Sequence, residues 1–84
     1  MTDARQIEAE ILAQTAARGP DKSICPSEVA RSLADEWRPL MHLVRQAAMG
    51  LAKSGLIEIL RKGKPIDPAT LHGVIRLRIK ASPV

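Results

Sequence analysis

A mainly α fold with a small β-ribbon, the α+β arrangement of a winged helix-turn-helix, is predicted by three features of this 84-residue chain. Three stretches of helical periodicity are each bounded on at least one side by Gly or Pro. A segment of alternating apolar and basic residues follows them, and a basic, proline-bearing loop precedes that segment. One domain over residues 1–84 is expected, with three helices and a two- or three-stranded antiparallel sheet, because so short a chain has room for a single modest core.

The first helix is expected over about residues 3–18, where Ile7, Ile11, Leu12 and Ala16 recur at helical spacing. Thr2 or Asp3 can cap its start, and Gly19 with Pro20 stops it. Ser23 to Cys25 leaves room for one bridge of extended chain. Pro26 then suits a first helical turn, so a short second helix is expected over about 26–34 with Val29, Ala30 and Leu33 inward. Asp35 and Glu36 form a tight connection.

Pro39 marks the third helix, about 38–53, which Gly55 ends. Its apolar stripe is Leu40, Leu43, Val44, Ala47, Ala48 and Leu51, with Met41 at the edge. Gly50 inside this helix is locally unfavourable and reads as a close packing contact. Strands are expected over about 56–61 and 74–80, the second with Ile75, Leu77 and Ile79 inward and Arg76, Arg78 and Lys80 outward. The wing loop between them spans 62–73, with Asp67 and Pro68 opening one short helical turn, and residues 81–84 are expected to fray.

Charge is distributed unevenly. The net +4 divides into −3 over residues 1–36, where four basic residues meet seven acidic ones, and +7 over residues 37–84, where nine meet two. Such a chain can turn a basic face to a polyanion while its acidic part stays in solvent. Cys25 is the only cysteine, which excludes an intramolecular disulfide and a cysteine metal cage and favours a reducing cytoplasm. Asp3, Arg5, Glu8 and Glu10 break any apolar signal-peptide core, and no apolar run reaches membrane-spanning length. Trp37 is the sole aromatic residue, so stacking on exposed bases is largely excluded.

Several runs also carry a resemblance: Ser23-Ile24-Cys25-Pro26-Ser27-Glu28-Val29-Ala30, Trp37-Arg38-Pro39-Leu40-Met41, Val44-Arg45, Gly63-Lys64-Pro65-Ile66-Asp67-Pro68, Gly73 and Arg76-Leu77-Arg78. Over about Ile7 to Arg78 the chain resembles a bacterial family of short uncharacterised proteins, a domain family of unknown function. That resemblance implies a winged-helix fold and no particular activity.

Two basic clusters are the candidate nucleic-acid site. Arg38, His42, Arg45, Gln46 and Lys53 form a row on the outer side of the third helix, where Arg and Gln can contact guanine and adenine edges and Lys can neutralise phosphate. A solvated helix face gives the same row, but its place on the third helix favours DNA. Arg61, Lys62 and Lys64 of the loop, with Arg76, Arg78 and Lys80 of the last strand, suit phosphate contact. For the strand cluster, protection of an exposed sheet edge is an equal alternative. Trp37 reads as a staple onto the core rather than a binding anchor, and Cys25 as a buried rather than reactive thiol.

No sequence motif supports catalysis, a metal or a cofactor: His42 and His72 lie on separate elements without an acidic neighbour. The expectation is a non-enzymatic, cytoplasmic DNA-binding module resembling a transcription regulator, monomeric or weakly dimeric, with duplex DNA as partner and no membrane. The alternative is a protein-interaction module on the same scaffold. Met41, Met49 and Leu60 discriminate: joined in one exposed patch they favour a protein partner, and buried or isolated they favour DNA.

Overall fold

Residues 3–80 are described by the structure, a computed structural model. Its first element, α1, is a helix over Ala4–Arg18 that begins with a reciprocal cap: the Asp3 carboxylate accepts from the Gln6 amide at 2.9 Å and the Gln6 side chain accepts from the Asp3 amide at 3.0 Å. The alternative cap Thr2 and residues 81–84, where fraying is expected, lie outside the described residues. Ile7, Ile11 and Thr15, four apart, form the buried stripe of α1, whereas Ala16 is exposed. The expected inward position of Ala16 is thus corrected to Thr15, whose hydroxyl donates to the Ile11 carbonyl at 2.7 Å and so enters the core with its polar group satisfied.

Helix α2 is Pro26–Leu33, and Ala34 caps it rather than belonging to it. Glu28 serves two purposes at its start. One carboxylate oxygen accepts from the Cys25 amide at 2.7 Å, and the other from Arg18 at 3.2 Å. Gln14 of α1 reaches the Glu28 carbonyl and the Ser32 hydroxyl of α2, fastening the two helices.

The third helix begins later than its sequence suggests. Arg38–Leu40 is a 3-10 turn, because Pro39 offers no amide and the Leu40 amide bonds back to the Trp37 carbonyl, and α3 proper is Met41–Lys53. Val44, Ala48 and Leu51 are its buried positions. Gly50 is not a packing contact: a Cβ there would meet nothing within 4 Å. Gly50→Ala is therefore expected to stabilise the domain by about 0.5–1 kcal/mol through helix propensity alone, measured as a higher urea midpoint at unchanged slope.

The sheet has three antiparallel strands, β1 (Ile57–Arg61), β2 (Lys64–Pro65) and β3 (Arg76–Ile79), in the order β2-β1-β3. Ile57 pairs with Ile79 and Ile59 with Leu77. Ile24 supplies the expected extended bridge, exchanging two backbone hydrogen bonds of 2.8 Å with Leu77 on the outer side of β3. Leu77 is fully buried there beside Ile24 and Ile59.

The segment 62–73 is not an open wing loop. β1 turns into β2 through Lys62 and Gly63, both at positive φ (53° and 80°), the two-residue turn whose twist suits a hairpin. After β2 the chain makes a 3-10 turn, Pro68–Thr70, capped by the Asp67 carboxylate on the Ala69 amide, and it packs back against α3 through the half-buried Ile66 and Leu71. Three helices and a three-stranded sheet in this order make an α+β fold consistent with a winged helix.

Candidate nucleic-acid interface

On α3 the exposed positions are His42, Gln46, Gly50 and Lys53, one row down the helix opposite its buried stripe. None of His42, Gln46 and Lys53 makes a side-chain hydrogen bond or ion pair among the described residues. Gln46 also lines an open cleft of about 250 Å³ between α1 and α3, together with Ile7, Glu8, Leu43, Ala47 and Gly50. Arg38 lies at the head of the row, one turn before His42, with its guanidinium carbon 4.7 Å from the centre of the Trp37 ring.

Arg45 leaves the row. Both terminal nitrogens of its guanidinium donate to the Gly73 carbonyl at 3.2 Å, tying the first half of α3 to the segment before β3. Arg61 of β1 meets the same glycine: its guanidinium occupies the space of a Gly73 side chain, its Nε 2.9 Å from where a Cβ would sit, and that Nε is buried without a hydrogen-bond partner among the described residues. Gly73 has φ 69°, a left-handed backbone that selects glycine, and a side chain at this point would have to displace the Arg61 guanidinium.

This junction links the two basic elements. Arg45, in the first half of α3, and Arg61, the last residue of β1 before the Lys62–Gly63 turn, both meet Gly73. Lys53 ends α3, roughly 20 Å along a helix of this length. Lys62 and Lys64 are exposed and unpaired among the described residues.

Of the strand cluster Arg76, Arg78 and Lys80, the two arginines are already occupied, whereas Lys80 is exposed and its side chain unpaired among the described residues. Arg78 pairs with Glu58, directly opposite on β1, at 2.8 Å, and Arg76 donates to the hydroxyl and carbonyl of Ser23 at 2.7 and 2.9 Å. Neither guards an open edge at this point, because Ile24 covers the outer side of β3 at Leu77. Both act as tethers, one across the hairpin and one to the bridge before α2.

Trp37 is half-buried against the core, as a staple would be, but it also carries two guanidiniums: Arg31, from the last turn of α2, stands 4.6 Å from the ring centre. Arg31 is absent from the basic rows read off the sequence. The available signal was that it and Arg38 flank the only aromatic residue. Cys25 is half-buried rather than fully buried, and the Ser27 hydroxyl donates to its sulfur at 3.1 Å.

Among the described residues no three His, Cys, Asp or Glu side chains cluster as metal ligands, and His72 bonds to the Thr70 carbonyl. No helix described is long and apolar enough to cross a membrane. No curated protein matches the chain. A family profile described as a protein of unknown function (DUF3253) matches residues 4–80, nearly the whole chain, and the chain belongs to that family.

Proposed function

We propose that this chain is a winged helix-turn-helix module that binds duplex DNA in the cytoplasm, as a transcription-regulator-like, non-enzymatic protein acting as a monomer or weak dimer. α3 enters the major groove, and the Lys62–Lys64 hairpin rests on the backbone beside it. The observation that supports the reading is the Gly73 junction, where Arg45 of α3 and Arg61 of β1 meet; on this reading it joins the helix row and the hairpin into one basic face. His42 and Gln46 are the side chains left free to meet base edges; Arg38, Lys53, Lys62 and Lys64 are left to meet phosphates. On this reading Arg45, Arg76 and Arg78, bonded within the chain, and Arg61, packed over Gly73, support the fold around that face rather than read DNA.

The apolar surface argues in the same direction. Leu60 is buried, and Met41 and Met49 are half-buried, so the three do not form an exposed patch. The large exposed apolar residues, Leu56 at 48% and Val74 at 85%, sit at opposite ends of the β1–β3 pair and do not merge. A continuous exposed apolar patch would favour a protein partner, and these residues do not form one.

Fluorescence anisotropy with a labelled random-sequence duplex tests the proposal. With about four phosphates neutralised, log K is expected to fall against log salt with a slope of roughly −3 to −4. Absence of binding even at the lowest salt overturns it.

A further inference from the structure

Trp37, in the connection between α2 and α3, holds two arginines, one from the last turn of α2 and one from the 3-10 turn that follows. Arg31 and Arg38 both face the Trp37 ring, at 4.6 and 4.7 Å from its centre, and neither makes a hydrogen bond or ion pair among the described residues. Asp35 and Glu36 lie between them in the chain and are exposed, yet neither is paired with them. A guanidinium stacked on an indole is held in place while its N–H edges stay free to donate, which a carboxylate partner would not allow.

Two further facts favour an anion. Both charges lie against one ring, so they stand within about a Debye length of each other and repel, a cost that an anion reached by their free N–H edges lowers. The stack is also pre-organised, so little side-chain freedom is lost when a ligand arrives. Its place in the fold identifies the ligand. Arg31 ends α2, the helix that crosses the DNA backbone in a helix-turn-helix, and Arg38 precedes His42 by one turn at the head of the exposed row.

We propose that Arg31 and Arg38, held on Trp37, form a phosphate clamp that grips the DNA backbone at the N-terminal end of α3. This rests on the DNA-binding reading above and adds Arg31 and Trp37 to it. Guanidiniums in such a position donate charge-assisted, planar hydrogen bonds to phosphate oxygens. Trp37 contributes as the platform and does not stack on a base.

Because Trp37 is the sole aromatic residue, its emission reports this site alone. The full chain is titrated with unlabelled random-sequence duplex while tryptophan emission is followed, in parallel with anisotropy. The expected result is a saturable change in Trp37 emission with the same midpoint as the anisotropy, and no change with inorganic phosphate at matched phosphate concentration. Arg31→Ala and Arg38→Ala are each expected to weaken duplex binding about eightfold at 0.1 M salt and to flatten the salt slope by about 1. If the duplex binds while Trp37 emission and both variants' slopes stay unchanged, the clamp is overturned and DNA binding stands. An equal emission response to inorganic phosphate overturns the assignment to a nucleic-acid backbone. Failure of the duplex to bind overturns both readings. The emission arm uses the unaltered chain, so it decides the matter even if a variant folds poorly.

Discussion

Leu77→Ala is expected to cost the domain about 3–4 kcal/mol, the largest loss of stability from any single truncation in the sheet. Leu77 is fully exposed in an unfolded chain and fully buried here, at the point where α1, β1 and the Ile24 bridge meet β3. Its backbone bonds to Ile24 would survive the change, so the loss is that of the buried methyl groups and the cavity they leave. A domain of this length has a total stability on the order of 5–10 kcal/mol, so the variant would keep only part of it. Urea unfolding followed by Trp37 emission and circular dichroism measures the loss; a decrease under about 1 kcal/mol would show that the bridge and the sheet do not share one core.

The second large effect concerns binding rather than folding. Replacing Lys62 by Gly and Lys64 by Ala removes both charges of the hairpin tip without removing a contact within the chain. Lys62 holds φ 53°, a conformation that costs a non-glycine residue about 1 kcal/mol, so Gly at this position is expected to maintain or raise stability. Duplex affinity is expected to fall roughly 50-fold at 0.1 M salt, and the salt slope to flatten by about 2, one counterion for each lysine. Anisotropy and urea unfolding on the same preparation separate the two effects. Weaker binding together with lower stability would trace the loss to a damaged hairpin instead of to missing phosphate contacts.

The parts of the fold legible in the sequence are those governed by local rules. Gly19 and Gly55 stop helices because the chain must leave the ladder there, Pro26 opens α2, and the alternation of Ile75, Leu77 and Ile79 fixes which side of β3 is inward. The hairpin was hidden for an equally local reason. Pro65 argues against a strand unless the strand is an edge, as β2 is, and Lys62-Gly63 is not the Asn-Gly or Asp-Gly pair that usually marks such a turn. Thr15 was hidden because its hydroxyl is satisfied by its own helix, which lets a polar residue take a core position.

The candidate interface was legible as charge and not as commitment. Arg45 binds a carbonyl 28 residues away and Arg76 a serine 53 residues away, and Arg61 lies over Gly73, contacts that no spacing rule anticipates. An arginine's long side chain can satisfy itself within the fold or wait for a ligand, and only tertiary placement distinguishes the two. The polarised charge survives this sorting. Lys53, Lys62 and Lys64 are unpaired among the described residues, and Arg45 and Arg61 meet at Gly73.

The most direct test of a single basic face is amide chemical-shift mapping of the isotope-labelled chain on addition of a short random-sequence duplex. The account predicts perturbations concentrated at Arg31, at residues 37–53 on the exposed row, and at the Lys62–Lys64 tip, with α1 silent. Perturbations centred on α1 and the cleft beside Gln46, or none at a duplex concentration that saturates anisotropy, would contradict it.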